Sequence, residues 1–258
     1  MGVLNVTPDS FSDGGQFTDA AGALDHAARM IDAGADIIDV GGESTRPGAS
    51  AVSGAEEFDR VVPIVERLTA EFDVPISIDT SKADIMRAAT MAGASLVNDV
   101  RALREPDALA TVSDLGVAVC LMHMQGQPRT MQGAPEYANV CADVAEFLQD
   151  RAASCVEAGI SRERILVDPG FGFGKTLQHN LDLLRHLDRL VRLGFPVLVG
   201  MSRKTMLGQL LLDRPVDERL YGGLALAVVA RQNGATIIRT HDVRPTVDVL
   251  KVVDALIE

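Results

Sequence analysis

Aromatic residues and cysteines are scarce in this sequence. The 258 residues include no tryptophan, two tyrosines, eight phenylalanines and three cysteines. Cys120, Cys141 and Cys155 are odd in number and have no Cys-x-x-Cys spacing, so neither a disulfide framework nor a clustered zinc site is predicted. We interpret them as reduced thiols in the core of a cytoplasmic protein.

Long apolar runs and an excess of positive charge are also absent. No apolar stretch reaches the ~18 residues of a membrane span, and no basic region followed by a hydrophobic signal core opens the chain. The 24 Lys and Arg stand against 36 Asp and Glu, for a net charge of -12. Broad nucleic-acid or anionic-membrane surfaces need concentrated Lys and Arg, so the composition excludes both partners.

The hydrophobic content of 47% is enough for a full core. On length alone, one larger α/β domain is as plausible as two. No Pro-, Gly- or Ser-rich linker divides the chain. We therefore expect a single domain, residues 1–258.

One local pattern recurs along the chain. A helical pattern ends at a glycine, and a short apolar run that stops at or near a polar residue follows it. Glycine suits the left-handed position after a helix, and such short runs are typical of strands buried on both faces. The six glycines are Gly34, Gly93, Gly116, Gly159, Gly194 and Gly234, and the runs after them are 37–40, 96–98, 117–122, 165–168, 197–199 and 237–239.

Two further runs, 3–5 and 76–79, bring the predicted strands to eight. Helical patterns lie between them at about 19–33, 54–72, 81–93, 105–115, 136–159, 178–193, 203–233 and 243–257. Eight βα units in about 250 residues predict a (β/α)8 TIM barrel with its active site at the carboxyl ends of the strands. A doubly wound open sheet is the alternative, but it seldom has eight evenly spaced strands.

Polar residues stand at the predicted strand ends, which converge on one mouth in a barrel. They are Asn5, Asp39 with Glu43, Asp79, Asn98, His123, Asp168, Ser202 with Lys204, and Arg239 with His241. Burying each one unpartnered would cost ~1–3 kcal/mol, so together they indicate a binding site. The alternative for a single acid is a helix cap, as Asp79 could be before Ser81.

The chemistry of these side chains is divided between two halves. Asp79, Asn98 and Asp168 suit the N–H and amino edge of a flat heterocycle. An anion such as diphosphate suits a second set, Arg46, Lys204, Arg239 and His241. Asn5 could join diphosphate oxygens and waters around Mg²⁺.

Three loops complete the predicted mouth. Segments 7–18 and 41–54 are rich in turn formers and are predicted to cover the substrate, with Phe11 as an aromatic contact or a packing anchor. The glycine-rich loop after Asp168 resembles a P-loop, but Pro169 stands where that motif needs a glycine. We therefore predict that its glycines serve a tight turn beside the heterocycle and that Lys175 is an ordinary residue near the next helix.

Together, the motifs resemble those of dihydropteroate synthase over nearly the whole chain. They are 2–15 (GVLNVTPDSFSDGG), 39–48 (DVGGESTRPG), 77–80 (SIDT), 98–99 (ND), 122–126 (MHMQG), 168–173 (DPGFGF), 202–204 (SRK) and 239–243 (RTHDV). The family joins para-aminobenzoate to hydroxymethyl-dihydropterin diphosphate, releases diphosphate, and is inhibited by sulfonamides. Thr240 is a departure, because the family often has an apolar residue there.

The resemblance implies a role for each matching residue. The pterin would be held by Asp79, Asn98, Asp168 and Lys204, with Met122 and Phe173 lining its pocket. Diphosphate and Mg²⁺ would be held by Asn5, Thr45, Arg239 and His241. The aminobenzoate site would be shaped by Phe11, Arg46, Pro47 and Ser202. The implied mechanism is an S_N1-like displacement in which Asp79, Lys204, Arg239 and His241 are the catalytic residues.

The resemblance also suggests a homodimer formed through the last helices. Apolar residues there could equally be intrachain core: Val228, Val229, Val249, Leu250, Val252 and Val253. Two rivals remain, a pterin-binding methyltransferase domain that serves a corrinoid and an inert pterin-binding or scaffold protein. The predicted diphosphate cations favour the synthase over the first, and the two cover loops favour it over the second.

Overall fold

The structure, a computed structural model, describes residues 1–6, 15–44, 52–126, 131, 133 and 135–257, with only the backbone given for 15–19. Within these residues, eight strands alternate with helices. The strands are β1 (Gly2–Asn5), β2 (Ile38–Gly41), β3 (Ile76–Asp79), β4 (Leu96–Asp99), β5 (Ala118–Met122), β6 (Ile165–Asp168), β7 (Leu198–Gly200) and β8 (Ile237–Arg239). The helices are α1 (Gly15–Asp32), α2 (Gly54–Glu71), α3 (Ala83–Met91), α4 (Ala108–Leu115), α5 (Val140–Glu157), α6 (Leu177–Arg185), α7 (Asp188–Val191), α8 (Thr205–Leu210), α9 (Leu220–Gln232) and α10 (Val243–Ile257).

Parallel pairing of successive strands closes the sheet into a barrel. Strands β1 to β6 pair in chain order, and β7 pairs with β8. The two groups meet at both edges, where Gly2 lies beside Thr240 and Val167 beside Val197. The amide of Val3 donates to the Thr240 carbonyl at 3.1 Å. The fold is therefore the predicted (β/α)8 barrel.

Apolar side chains fill both sides of the barrel wall. The main core lies between strands and helices and includes Leu4, Ile38 and Ile78, each with no exposed surface. A second cluster joins residues of β4, β5 and β7 to the start of the chain: Met1, Leu96, Cys120 and Leu198. Because several of these strands are not neighbours, their side chains meet inside the barrel, as parallel barrels require. The three cysteines are buried and unpaired, as predicted.

All six glycines that were predicted to end helices have positive φ. The values run from 63° at Gly116 to 111° at Gly93. At Gly93 an added Cβ would also lie 2.8 Å from Thr69 Cγ2. The recurring pattern therefore marks the turn from each helix into the next strand.

Two predicted helices were wrong in their extent. The 178–193 pattern is divided into α6 and α7, because His186 leaves helical geometry. The 203–233 pattern is divided into α8, a 3₁₀ turn at Val216–Glu218, and α9. Positive φ at Leu212 and Asp213, followed by Pro215 without an amide N–H, interrupts that helix.

The departure at Thr240 is accommodated by local hydrogen bonds. This buried side chain accepts from the Asp242 amide at 3.1 Å and lies 3.2 Å from the Thr246 hydroxyl. A polar residue can therefore occupy this position without an unpaired hydroxyl.

Of the helices that the structure describes, none combines the length and the apolar character needed to cross a membrane.

Candidate active site

A guanidinium and three polar side chains meet at the strand ends. Arg239 on β8 donates from Nε to Asp39 Oδ2 at 2.6 Å and from Nη2 to Asp79 Oδ2 at 2.9 Å. Asn98 on β4 donates from Nδ2 to the same Asp39 oxygen at 3.2 Å. Four strands that are distant in sequence thus contribute to one network, as the barrel prediction required.

Asp39 lies deeper than the sequence indicated. It was placed at the end of β2, but that strand continues to Gly41 and Asp39 has no exposed surface. Its other oxygen, Oδ1, has no hydrogen-bond partner. Since an ionised carboxylate only accepts, Asn98 must present its amide nitrogen to Asp39. The oxygen of the same Asn98 amide can then accept a hydrogen bond from another group.

Asp79 is part of the site and does not cap α3. Its oxygen accepts from Arg239, while the hydroxyl of Ser81 donates to Asp99. Burial raises the pKa of Asp79 to about 7, although the charge of Arg239 opposes the shift. The alternative interpretation as a helix cap is therefore wrong. An acid with this pKa changes its charge close to neutral pH.

Asp168 and Lys204 are two groups near Phe173 whose opposite charges shift each other's pKa. Asp168 Oδ1 accepts from the Gly170 amide at 2.7 Å. Lys204 Nζ donates to the Phe171 carbonyl at 2.6 Å and lies 4.6 Å from the centroid of the Phe173 ring. Burial raises the pKa of Asp168, and Lys204 is the strongest opposing charge. Burial lowers the pKa of Lys204 to about 8.

Met122 and Phe173 share an apolar wall. They belong to a small buried cluster, separate from the main core, that also contains Val100, Met124 and Met131. Met122 is the register partner of Asp168 on the neighbouring strand. This apolar surface therefore adjoins the polar group that was predicted to read the heterocycle.

The glycines after Asp168 permit close backbone contact. Gly170 and Gly174 have φ values of 68° and 60°. An added Cβ at Gly170 would lie 2.0 Å from the carbonyl oxygen of His123, and one at Gly174 would lie 2.4 Å from that of Gln125. The predicted tight turn is confirmed, since the Phe173 amide donates to the Gly170 carbonyl at 3.1 Å. The prediction for Lys175 is wrong, because this residue is buried beside His123.

His241, Ser202 and Asn5 lie at the other predicted half of the mouth. Ser202 Oγ lies 3.1 Å from His241 Nδ1 and accepts from the His241 amide at 3.2 Å. A Cβ added at Gly41 would be 3.9 Å from Asn5 Oδ1 and 3.8 Å from Asp79 Oδ2. The two oxygens therefore flank Gly41 from β1 and β3, the strands on either side of β2. His123, in contrast, contacts Lys175, with its Nδ1 lying 2.9 Å from Lys175 Nζ.

Four predicted site residues fall outside the described part of the chain, namely Phe11, Thr45, Arg46 and Pro47.

The base of the second cover loop shows contacts that sequence reasoning missed. Lys82 Nζ donates to Glu43 at 2.5 Å and to the buried Glu57. Glu57 carries no sequence signal beyond its place in the first turn of α2. Among the described residues, no group of three or more His, Cys, Asp or Glu could hold a metal ion.

Comparison with known proteins agrees with this geometry. The family model for pterin-binding enzymes matches residues 1–241. The dihydropteroate synthase of Haemophilus influenzae is 54% identical over 252 residues, which cover 98% of this chain and 91% of the relative. The solved structure of the Yersinia pestis dihydropteroate synthase with a sulfonamide drug is 54% identical, with a TM-score of 0.94 and coverage of 99% and 93%. That of the Xanthomonas albilineans enzyme with 7,8-dihydropteroate is 47% identical, with a TM-score of 0.90 and coverage of 99% and 92%.

The barrel with this mouth is a pterin-binding enzyme, and the chain belongs to that family. Within it, the chain belongs to the dihydropteroate synthases. These are transferases of folate biosynthesis that join para-aminobenzoate to hydroxymethyl-dihydropterin diphosphate and release diphosphate.

Proposed function

We propose that residues 1–258 act as one domain whose mouth holds the pterin and the diphosphate at opposite halves. The observation that supports it is that the cation Arg239 contacts Asp39 and Asp79, while the opposite charges of Asp168 and Lys204 act on each other nearby. Acceptors for a heterocycle and cations for an anion thus occur side by side.

The pterin half is assigned to the acids and the apolar wall. Asp79, Asp168 and the oxygen of Asn98 would accept N–H and amino hydrogens of the ring. The orientation of Asn98, fixed by its bond to Asp39, supports this assignment. Lys204 would approach the ring from the side of Phe173, and Met122 and Phe173 would contact its apolar faces.

The diphosphate half is assigned to Arg239, His241, Thr45 and Asn5. The hydrogen bonds between Ser202 and His241 support a fixed imidazole at this position. Arg239 also contacts two carboxylates, so its charge is shared between the two halves. The diphosphate would therefore compete with Asp39 and Asp79 for the guanidinium.

Mg²⁺ fits the oxygen donors at the end of β1. The Asn5 amide oxygen is at this strand end, and Mg²⁺ prefers oxygen ligands and retains waters. Asn5 would hold the ion together with diphosphate oxygens. When bound, Mg²⁺ would supply positive charge to the leaving group.

The residues of this chain would act mainly through electrostatics in an S_N1-like displacement. As the C–O bond to diphosphate breaks, Arg239 and His241 stabilise the departing negative charge. Asp79 and Asp168 stabilise the positive charge that develops on the pterin methylene. The arylamine nitrogen of para-aminobenzoate then forms the C–N bond and loses a proton.

The aminobenzoate site is assigned to Phe11, Arg46, Pro47 and Ser202. The position of Ser202 beside His241 supports a site next to the leaving group. Because the Yersinia pestis relative was solved with a sulfonamide drug, we propose that this chain is also a sulfonamide target. The drug would compete with para-aminobenzoate.

A homodimer through α9 and α10 and a cytoplasmic location are also proposed. Val229, Val252 and Leu256 on these helices are 39%, 62% and 79% exposed, which supports an apolar interface. Val253 is buried, so it belongs to the intrachain core. The three unpaired cysteines support a reducing compartment.

The test of this function is product formation from the two substrates with and without Mg²⁺. Dihydropteroate and diphosphate should appear in equal amounts, and chelation of Mg²⁺ should lower the rate. No dihydropteroate from the purified chain would contradict the proposal. Light scattering tests the dimer separately.

A further inference from the structure

Lys175 is a buried lysine that the proposed reaction does not use. It lies in the loop between β6 and α6, residues 169–176, one residue before the N-cap Thr176, and is 3% exposed. Its Nζ lies 2.9 Å from His123 Nδ1, 3.3 Å from the His123 carbonyl oxygen and 3.0 Å from the Phe173 carbonyl oxygen. An ammonium group has three N–H donors, so this site offers one acceptor for each of them.

The imidazole of His123 is held in a neutral, acceptor form. Burial, helped by the charge of Lys175, lowers the pKa of His123 to about 3. Phe147 packs edge-on against the ring at 4.9 Å, and Tyr137 lies 5.9 Å away. Burial lowers the pKa of Lys175 to about 7. In its charged form Lys175 can only donate, so Nδ1 of His123 then accepts and Nε2 carries the ring proton.

These bonds fasten the β6–α6 loop to the end of β5. Lys175 joins the backbone of Phe173 to both the ring and the backbone of His123. The loop also packs directly on this strand end, because Gly170 faces the His123 carbonyl with no space for a Cβ. The backbone of Phe173, whose ring belongs to the apolar wall, is therefore held by Lys175.

The ammonium also acts on the acid at the start of this loop. The charge of Lys175 helps to lower the pKa of Asp168 against the effect of burial, after Lys204 and the Gly170 amide. Two lysines thus favour the ionised form of Asp168. Lys204 stands at the mouth, whereas Lys175 lies behind the loop.

We propose that Lys175 is a positioning residue for the pterin pocket, which sets Phe173 and Asp168 by fastening the β6–α6 loop to His123. This role rests on the proposed pterin half of the mouth. It predicts a selective effect on the pterin, because the aminobenzoate residues belong to other loops.

The test compares Lys175→Met, which keeps the stem and removes the donors, with Arg185→Met as a matched control on the exposed surface of α6. Affinity for 6-hydroxymethylpterin is measured by calorimetry, and the KM for para-aminobenzoate and the thermal midpoint are measured alongside. We expect Lys175→Met to weaken pterin binding about 10- to 100-fold, the effect of leaving buried polar groups unpaired. The KM for para-aminobenzoate should change much less, and Arg185→Met should match the wild type.

A second pair of variants keeps the test decisive if Lys175→Met does not fold. His123→Leu removes the ring acceptor, whereas His123→Gln keeps an acceptor oxygen for the ammonium. We expect His123→Gln to bind the pterin more tightly than His123→Leu. Equal pterin affinity in the two His123 variants, or equal losses for both substrates in Lys175→Met, would overturn the positioning role. If the wild type itself does not bind the pterin, the proposed function fails instead.

Discussion

Arg239 Nε donates to Asp39 Oδ2 at 2.6 Å, although the two residues are 200 positions apart and lie on opposite sides of the β1 strand, on β8 and β2. The same guanidinium reaches Asp79. The cation assigned to the diphosphate is therefore linked directly to an acid assigned to the pterin. Binding of a ligand at one half of the mouth should therefore change the affinity of the other half for its ligand.

Asp39→Asn tests the structural part of this pair. The substitution keeps the shape of the side chain but removes a charge that Arg239 contacts inside the barrel. We expect the free energy of unfolding to fall by about 3 kcal/mol, because the charge of Arg239 loses the fully buried one of its two carboxylate partners. Asp25→Asn on the exposed face of α1 should change it by less than about 0.5 kcal/mol. Denaturant titration measures both, and equal values would contradict the prediction.

Asp79→Asn tests the catalytic role at the same network. The variant should still fold, because Arg239 keeps its bond to Asp39 and because the Asp79 carboxyl, with a pKa raised to about 7, is already partly protonated at neutral pH. It should lower turnover about 100-fold or more, because a charge that stabilises the transition state is removed. Asp84→Asn, at an exposed site in the first turn of α3, is the control. Near-normal turnover of Asp79→Asn in a steady-state assay would remove Asp79 from the mechanism.

Pterin binding should depend on pH through Asp79. Burial raises the pKa of this acid to about 7, so its carboxyl is protonated below that pH and ionised above it. Because the ionised form accepts two ring hydrogens, affinity should fall as the pH is lowered through about 7. Asn98→Ala removes an uncharged group that is assigned to the pterin. It should weaken pterin binding at every pH without moving the pH midpoint of the affinity change. Calorimetry across the pH range checks this, and a flat profile would contradict it.

Gly170→Ala should damage the pterin loop. The backbone there has φ of 68°, and the new Cβ would lie 2.0 Å from the His123 carbonyl oxygen. We expect a loss of about 1–3 kcal/mol of stability together with weaker pterin binding. Gly54→Ala is the matched control, because its nearest neighbour would be 4.0 Å away. Thermal unfolding of the two variants should therefore separate clearly.

The strands and the mouth could be predicted because their signals are local. Short apolar runs after helix-ending glycines place eight strands, and barrel geometry then brings Asp79, Asn98 and Asp168 together. The break between α8 and α9 was missed although Pro215 is a sequence signal for it, because the rest of the break depends on positive φ at Leu212 and Asp213. A helical pattern gives no sign of such a backbone state.

The depth and the partners of individual side chains could not be predicted. Asp39 is two residues before the end of its strand, so its carboxyl lies in a layer below the mouth. The burial of Lys175 depends on its contact with His123, 52 residues earlier in the chain. Such contacts follow from packing between loops and not from any periodic pattern. The positions of the strand ends therefore predicted which residues share the site. They were a poorer guide to the contacts that each of these residues makes.

The division of the mouth into two halves is tested most directly by binding the two ligand fragments separately. Two ligands are used in calorimetry: a pterin that carries no diphosphate, and inorganic diphosphate together with Mg²⁺. Each ligand is titrated separately into the Asp168→Asn variant and into the His241→Ala variant. Asp168→Asn should lose pterin affinity by about 10-fold or more and keep diphosphate affinity, and His241→Ala should show the reverse. Loss of both fragments in both variants, or of neither, would contradict the account.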